Sequence, residues 1–138
     1  MPLNMKSKTY TEQLKAKLSG FFQERKEVLF AYIFGSVATK SSNKFSDIDI
    51  AIFTDIKKID NKEYRYGYRA EVLTDLMNIL HTDKVDLVIL NSAPPLLKHR
   101  VVYYGELFYN VNEKERINFQ VETINRYMDY KMLQRKVS

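Results

Sequence analysis

The chain contains no cysteine, which excludes disulfide staples, thiolate nucleophiles and thiolate metal sites. Its two histidines, His81 and His99, have no second ligand at helical spacing, so both read as structural or surface residues. No apolar run approaches the roughly 20 residues needed to cross a bilayer, and the opening stretch MPLNMKSKTYTEQLKAK lacks the apolar segment of a signal peptide. A cytoplasmic location is the expectation. Internal repeats, low-complexity tracts and linkers are also missing. What remains is 45% hydrophobic and 28% charged, close to globular averages, so residues 1–138 are expected to fold as one domain around one core. The excess of 22 Lys and Arg over 17 Asp and Glu gives +5, enough to help attract nucleotides but modest beside dedicated nucleic-acid binders.

Hydrophobic periodicity divides the chain into elements. Leu14, Leu18, Phe21 and Phe22 recur at helical spacing after Tyr10, although Gly20 blurs where that helix ends. Val28 to Phe34 is a continuous apolar run stopped by Gly35, and it reads as a buried strand. Ile48 to Phe53 and Val85 to Leu90 give two further strands, each with an acid near its start. Between them Tyr68, Val72, Leu73, Leu76, Met77 and Leu80 repeat with helical period, and a crossover helix favours parallel pairing of the strands it joins. Pro94 and Pro95 open a short helix that Gly105 closes. Ile117, Val121, Ile124, Met128 and Met132 mark a last long helix. The order helix, strand, strand, helix, strand, helix, helix predicts an α/β fold in which helices cover a small sheet.

The chemistry is concentrated where the first two strands meet. Gly35-Ser36 ends the first strand, ten residues intervene, and Asp47-Ile48-Asp49 opens the second. Strand side chains alternate, so Asp47 and Asp49 project from one face while Ile48 and Ile50 enter the core from the other. Carboxylates converging on one small volume repel, and a hard divalent cation with oxygen ligands offsets that repulsion, with Mg²⁺ the natural candidate. A lone D-x-D is weak evidence, and a lone Gly-Ser is an ordinary turn. Together they suggest a phosphate site: glycine lets the backbone approach closely and serine adds a hydroxyl donor. Asp86 stands in the third apolar run, where an acid needs a metal or a basic residue as partner, and it is the candidate third carboxylate. Asp83, three residues earlier, reads as a surface acid. Three carboxylates suit two metal ions that steady the attacking and leaving oxygens of an in-line displacement on the α-phosphate of a nucleoside triphosphate.

At these residues the sequence resembles the DNA polymerase beta-type nucleotidyltransferase superfamily, in the stretch GSVATKSSNKFSDIDIAIF. The later stretch VDLVILNSAPPLLKHRVVYYGELFY looks like the minimal nucleotidyltransferase (MNT) group, and the resemblance spans roughly residues 28 to 130. It implies a small mixed sheet covered by helices. It also implies that Asp47, Asp49 and Asp86 hold Mg²⁺, that Gly35 and Ser36 bind triphosphate, and that ATP donates AMP to a tyrosine of a HEPN-domain ribonuclease toxin. Many relatives carry an arginine soon after Gly-Ser; here Val37-Ala38-Thr39-Lys40 follows, and Lys40 is the substitute nucleotide contact. Two other functions stay open: steric masking of the toxin without catalysis, and nucleotidyl transfer to a small molecule or an RNA end.

Other residues invite weaker readings. Tyr64, Arg65, Tyr66, Tyr68 and Arg69 could contact a nucleotide, but an exposed helix start is favoured for them. Tyr103, Tyr104, Tyr109, Tyr127 and Tyr130 could form a partner interface or accept AMP, and packing is the commoner role. Met128 and Met132 suit a face for a partner helix or ordinary packing.

Overall fold

The computed structural model describes residues 9–35 and 47–137. Ser36, Lys40 and the rest of the polar loop lie outside the described residues. Four strands form one sheet: β1 (Val28–Phe34), β2 (Ile48–Thr54), β3 (Val85–Ile89) and β4 (Glu106–Asn110), in the order β3-β2-β1-β4. Helices α1 (Tyr10–Gln23), α2 (Tyr68–Leu80), α3 (Pro95–Tyr104) and α4 (Glu113–Val137) cover it. The β1–β2 and β1–β4 pairs are antiparallel, and β2–β3 is parallel, as its helical crossover requires.

β1 runs through the middle and is buried along its whole length, which explains its unbroken apolar sequence. Alternate side chains feed two cores. On one face Val28, Ile33, Ile48, Ile50, Ile52 and Leu87 meet Leu14, Leu18 and Phe22 of α1 and Val72 and Leu76 of α2. On the other, Phe30, Tyr32, Phe34 and Ala51 meet Val101 of α3 and Phe119 of α4. Phe30 stacks on Phe53 with ring centroids 4.9 Å apart, and Phe119 closes over both.

The helix ends follow their capping residues. The Thr9 hydroxyl accepts the Glu12 N–H at 3.1 Å and starts α1, which continues through Gly20 to Gln23. His81, with φ 55°, ends α2 in the left-handed conformation, a structural role that a short polar residue can fill. Pro95 occupies the first turn of α3. Gly105 follows it because a Cβ there would overlap the Val101 carbonyl and stand 3.1 Å from the Ile33 oxygen. The Asn112 side chain accepts the Glu115 N–H at 3.1 Å at the head of α4.

Two differences from the sequence reading have plain causes. β4 was not anticipated: it is five residues long, begins with Glu106, ends with Asn110 and occupies a sheet edge, so only Tyr109 of its side chains is fully buried. The stretch Leu107-Phe108-Tyr109 is the available strand signal, and it is short and directly follows the helix stop at Gly105. The last helix exists, but its apolar stripe points outward. Val121 is 53% exposed, Ile124 49%, Met128 56% and Met132 55%, while Phe119 and Gln120 contact the sheet and Thr123 is buried.

Candidate active site

β1 delivers Gly35, β2 delivers Asp47 and Asp49, and β3 delivers Asp86 to one end of the sheet. Phe34 pairs with Asp49 across the antiparallel ladder, and Asp49 pairs with Asp86 across the parallel one. Paired positions share a face, so Asp49 and Asp86 project from the same side of the sheet, and Asp47, immediately before β2, lies close enough for its charge to act on Asp49. That is the side of Ala51 and Phe34, covered further along by α3 and α4.

The Asp49 carboxyl is held above the ordinary carboxylate range, first by burial, then by the negative charge of Asp86, then by that of Asp47. Gly35 is required beside it for two reasons. Its φ of +74° belongs to the left-handed region, and a Cβ at this position would run into the Asp49 carboxylate. The turn therefore brings bare backbone against the acid cluster, where a phosphate could approach.

Asp86 is exposed on β3, so burial does not demand a partner, but it has a basic one. Arg69, in the first turn of α2, donates Nη2–H to Asp86 Oδ1 at 3.0 Å and Nε–H to the Leu87 carbonyl at 2.7 Å. Its neighbour Tyr68 is buried, and the Tyr68 hydroxyl donates to Glu27 at 2.7 Å, with burial and that carboxylate pushing the phenol pKa up. The reading of Tyr64 to Arg69 as an exposed helix start is thus corrected for Tyr68, which is buried; Arg69 is exposed at the helix start and is paired there with Asp86. The sequence signal was present in the pairing of an acid within a strand and a basic residue on the crossover helix, but spacing alone could not join positions 17 residues apart.

The donor set suits a hard cation in kind: three carboxylates, two of them on paired strand positions, with the negative charge of Asp86 and Asp47 acting on Asp49. Among the described residues, however, no group of three or more His, Asp or Glu is arranged to hold a metal ion as it stands. Asp83 is exposed at the turn before β3. His99 stacks between Tyr103 and Tyr127, at centroid distances of 5.5 and 3.5 Å, consistent with a structural role. Tyr103 and Tyr104 are largely exposed at the end of α3, whereas Tyr109 is buried with its hydroxyl donating to the Phe22 carbonyl at 3.2 Å.

Comparison with known proteins identifies the family. The model of the polymerase beta nucleotidyltransferase family matches residues 16–114. The protein adenylyltransferase MntA of Shewanella oneidensis is 34% identical over 96 residues, which are 70% of this chain and 63% of that protein. The chain therefore matches less than two thirds of that relative's length. The protein adenylyltransferase MntA of Aphanizomenon flos-aquae is 29% identical over 107 residues, 75% of this chain and 71% of its own. Among solved structures, a toxin–antitoxin pair with AMP-PNP superposes with TM-score 0.71 at 27% identity, covering 89% of this chain and 94% of that one. The complex of a tri-AMPylated Shewanella oneidensis HEPN toxin with its MNT antitoxin gives TM-score 0.68 at 26% identity, covering 92% and 94%. The match to the family model covers most of the chain, including every described acid of the candidate site: the chain belongs to the polymerase beta nucleotidyltransferase family.

Proposed function

We propose that this protein is an antitoxin that transfers AMP from ATP to a tyrosine of a cognate HEPN-domain ribonuclease toxin and so silences it. The observation that carries the reading is the strand register that sets Asp49 beside Asp86, two residues after Asp47 and next to the left-handed Gly35 turn. The relatives are named protein adenylyltransferases, and the similar structures are toxin–antitoxin complexes, one with AMP-PNP and one with an AMPylated toxin. Residues 1–138 would act as one nucleotidyltransferase domain. No described helix is long and apolar enough to cross a membrane, and we place the reaction in the cytoplasm, where ATP is abundant.

In this reading Asp47, Asp49 and Asp86 hold Mg²⁺, two ions in the working site. Bound there, Mg²⁺ would offset the carboxylate repulsion and the charge of the triphosphate. Gly35, Ser36 and Lys40 would face the β and γ phosphates. The tyrosine oxygen attacks the α-phosphorus, an O–P bond forms, the bond to pyrophosphate breaks, and Asp86 takes the phenolic proton. Positioning does most of the work in such an in-line displacement. The outward apolar stripe of α4 supports a protein acceptor, because a surface of this kind is covered most readily by another chain.

The test is to mix the protein with its partner toxin, ATP and Mg²⁺ and to read AMP additions on toxin tyrosines by mass spectrometry. Additions that vanish with Asp47→Asn support the reading. No addition, together with neutralisation that survives the double loss of Asp47 and Asp49, would replace it with steric masking. Turnover without any protein partner would point to a small-molecule or RNA acceptor.

A further inference from the structure

Arg69 touches two consecutive residues of β3. Its Nε–H is satisfied by the Leu87 main-chain carbonyl at 2.7 Å, and its Nη2–H reaches Asp86 Oδ1 at 3.0 Å. The base of the side chain is equally constrained, because Tyr68, Val72 and Leu76 bury the inner face of α2 and the Tyr68 hydroxyl is tied to Glu27. The guanidinium is thus fixed from both ends. The Arg69 and Asp86 side chains are 50% and 59% exposed, so the ion pair adds little to stability. What it does control is the direction of one carboxylate. Oδ1 is taken, and among the described residues Oδ2 makes no hydrogen bond to another side chain or backbone group.

We propose that Arg69 is a positioning residue for the metal site: it clamps Oδ1 of Asp86 to the edge of β3 and thereby presents Oδ2 as the ligand. The inference rests on the reading of Asp86 as a metal ligand given above. Partners behind the ligands commonly orient them in this way, and their loss costs about 10–100-fold in metal affinity. The bond to the Leu87 carbonyl separates this role from simple charge neutralisation. A counter-ion that competed with the metal would need to leave when metal binds, whereas a guanidinium anchored on main chain stays in place. Only arginine can do both, since its planar fork donates to two acceptors at fixed spacing and an ammonium does not.

The experiment is a titration of the full chain with Mn²⁺, in which free ion is read by electron paramagnetic resonance, so that turnover plays no part. Wild type, Asp49→Asn, Arg69→Ala and Arg69→Lys are compared, each with a thermal melt. The expected result is Mn²⁺ binding by wild type that Asp49→Asn abolishes, a loss of about 10–100-fold in Arg69→Ala at an unchanged melting temperature, and only partial recovery in Arg69→Lys. Binding in Arg69→Ala as tight as wild type, or tighter, would overturn the positioning role while leaving the metal site intact. Full recovery in Arg69→Lys would overturn it too, reducing Arg69 to a charge. If wild type binds Mn²⁺ no better than Asp49→Asn, the metal-site reading itself fails and the inference falls with it.

Discussion

Helices α2 and α4 carry the same kind of sequence and do opposite things with it. Each repeats apolar residues at intervals of three and four, yet α2 presses Val72 and Leu76 fully into the core, while α4 turns Val121, Ile124, Met128 and Met132 about half into solvent. The difference lies in connection. α2 joins two neighbouring parallel strands and must lie back across the sheet between them. α4 follows the edge strand β4, spans 25 residues, and is held to the sheet by Phe119 and Gln120 on a different stripe. Periodicity reveals that a helix has an apolar face; topology decides whether its own chain covers it. Through Arg69, α2 is bonded to Asp86, and α4 leaves an apolar stripe exposed.

If chemistry and docking are divided in this way, changes in the two regions should separate cleanly. The largest effect is expected from Asp49→Asn, which should lower AMP transfer by about 10³-fold through lost stabilisation of transition-state charge. Partner binding, followed by calorimetry, should be unaffected. A parallel loss of binding would break the division. Next, Leu76→Ala on α2 should cost about 2–5 kcal/mol in a denaturant titration, whereas Met128→Ala on α4 should stay within about 0.5 kcal/mol. Equal costs would mean that α4 packs on its own chain after all. Pairing Ile124→Glu with Met128→Glu should then leave the melt unchanged and weaken the toxin complex by about 2 kcal/mol or more, measured by the same calorimetry.

Smaller effects sharpen the picture of the acid end. Gly35→Ala forces a side chain into the left-handed region and against Asp49, and should destabilise by about 1–2 kcal/mol. The smallest is a pH effect. Asp49 binds its proton more tightly folded than unfolded, so its contribution to stability is full below the ordinary aspartate pKa and is lost as pH rises through the raised folded value. Asp49→Asn should therefore raise the melting temperature at neutral pH, with the gain shrinking as pH falls through the raised folded value and gone below the ordinary aspartate pKa. A gain independent of pH would contradict the raised pKa.

Most of the fold was legible because its strongest elements are pure in pattern. β1 is apolar throughout, and the crossover of α2 dictates parallel pairing. Asp47 and Asp49 could be placed on one face by alternation alone, and their register with Asp86 followed once β2 and β3 were side by side. β4 was hidden by its length and polar ends. Arg69 escaped because its role depends on a contact between α2 and the edge of β3, which no local pattern encodes. The outward face of α4 escaped for a related reason: an apolar stripe reads identically whether its own chain or another covers it.

The central claim is that Asp47, Asp49 and Asp86 surround metal at the Gly35 end of the sheet. Crystals soaked with Mn²⁺ and a non-hydrolysable ATP analogue test it most directly, through anomalous scattering. The account predicts an anomalous peak flanked by all three carboxylates, with Asp86 still bonded to Arg69 through Oδ1. A peak that leaves Asp86 or Asp49 outside its ligand shell would contradict it.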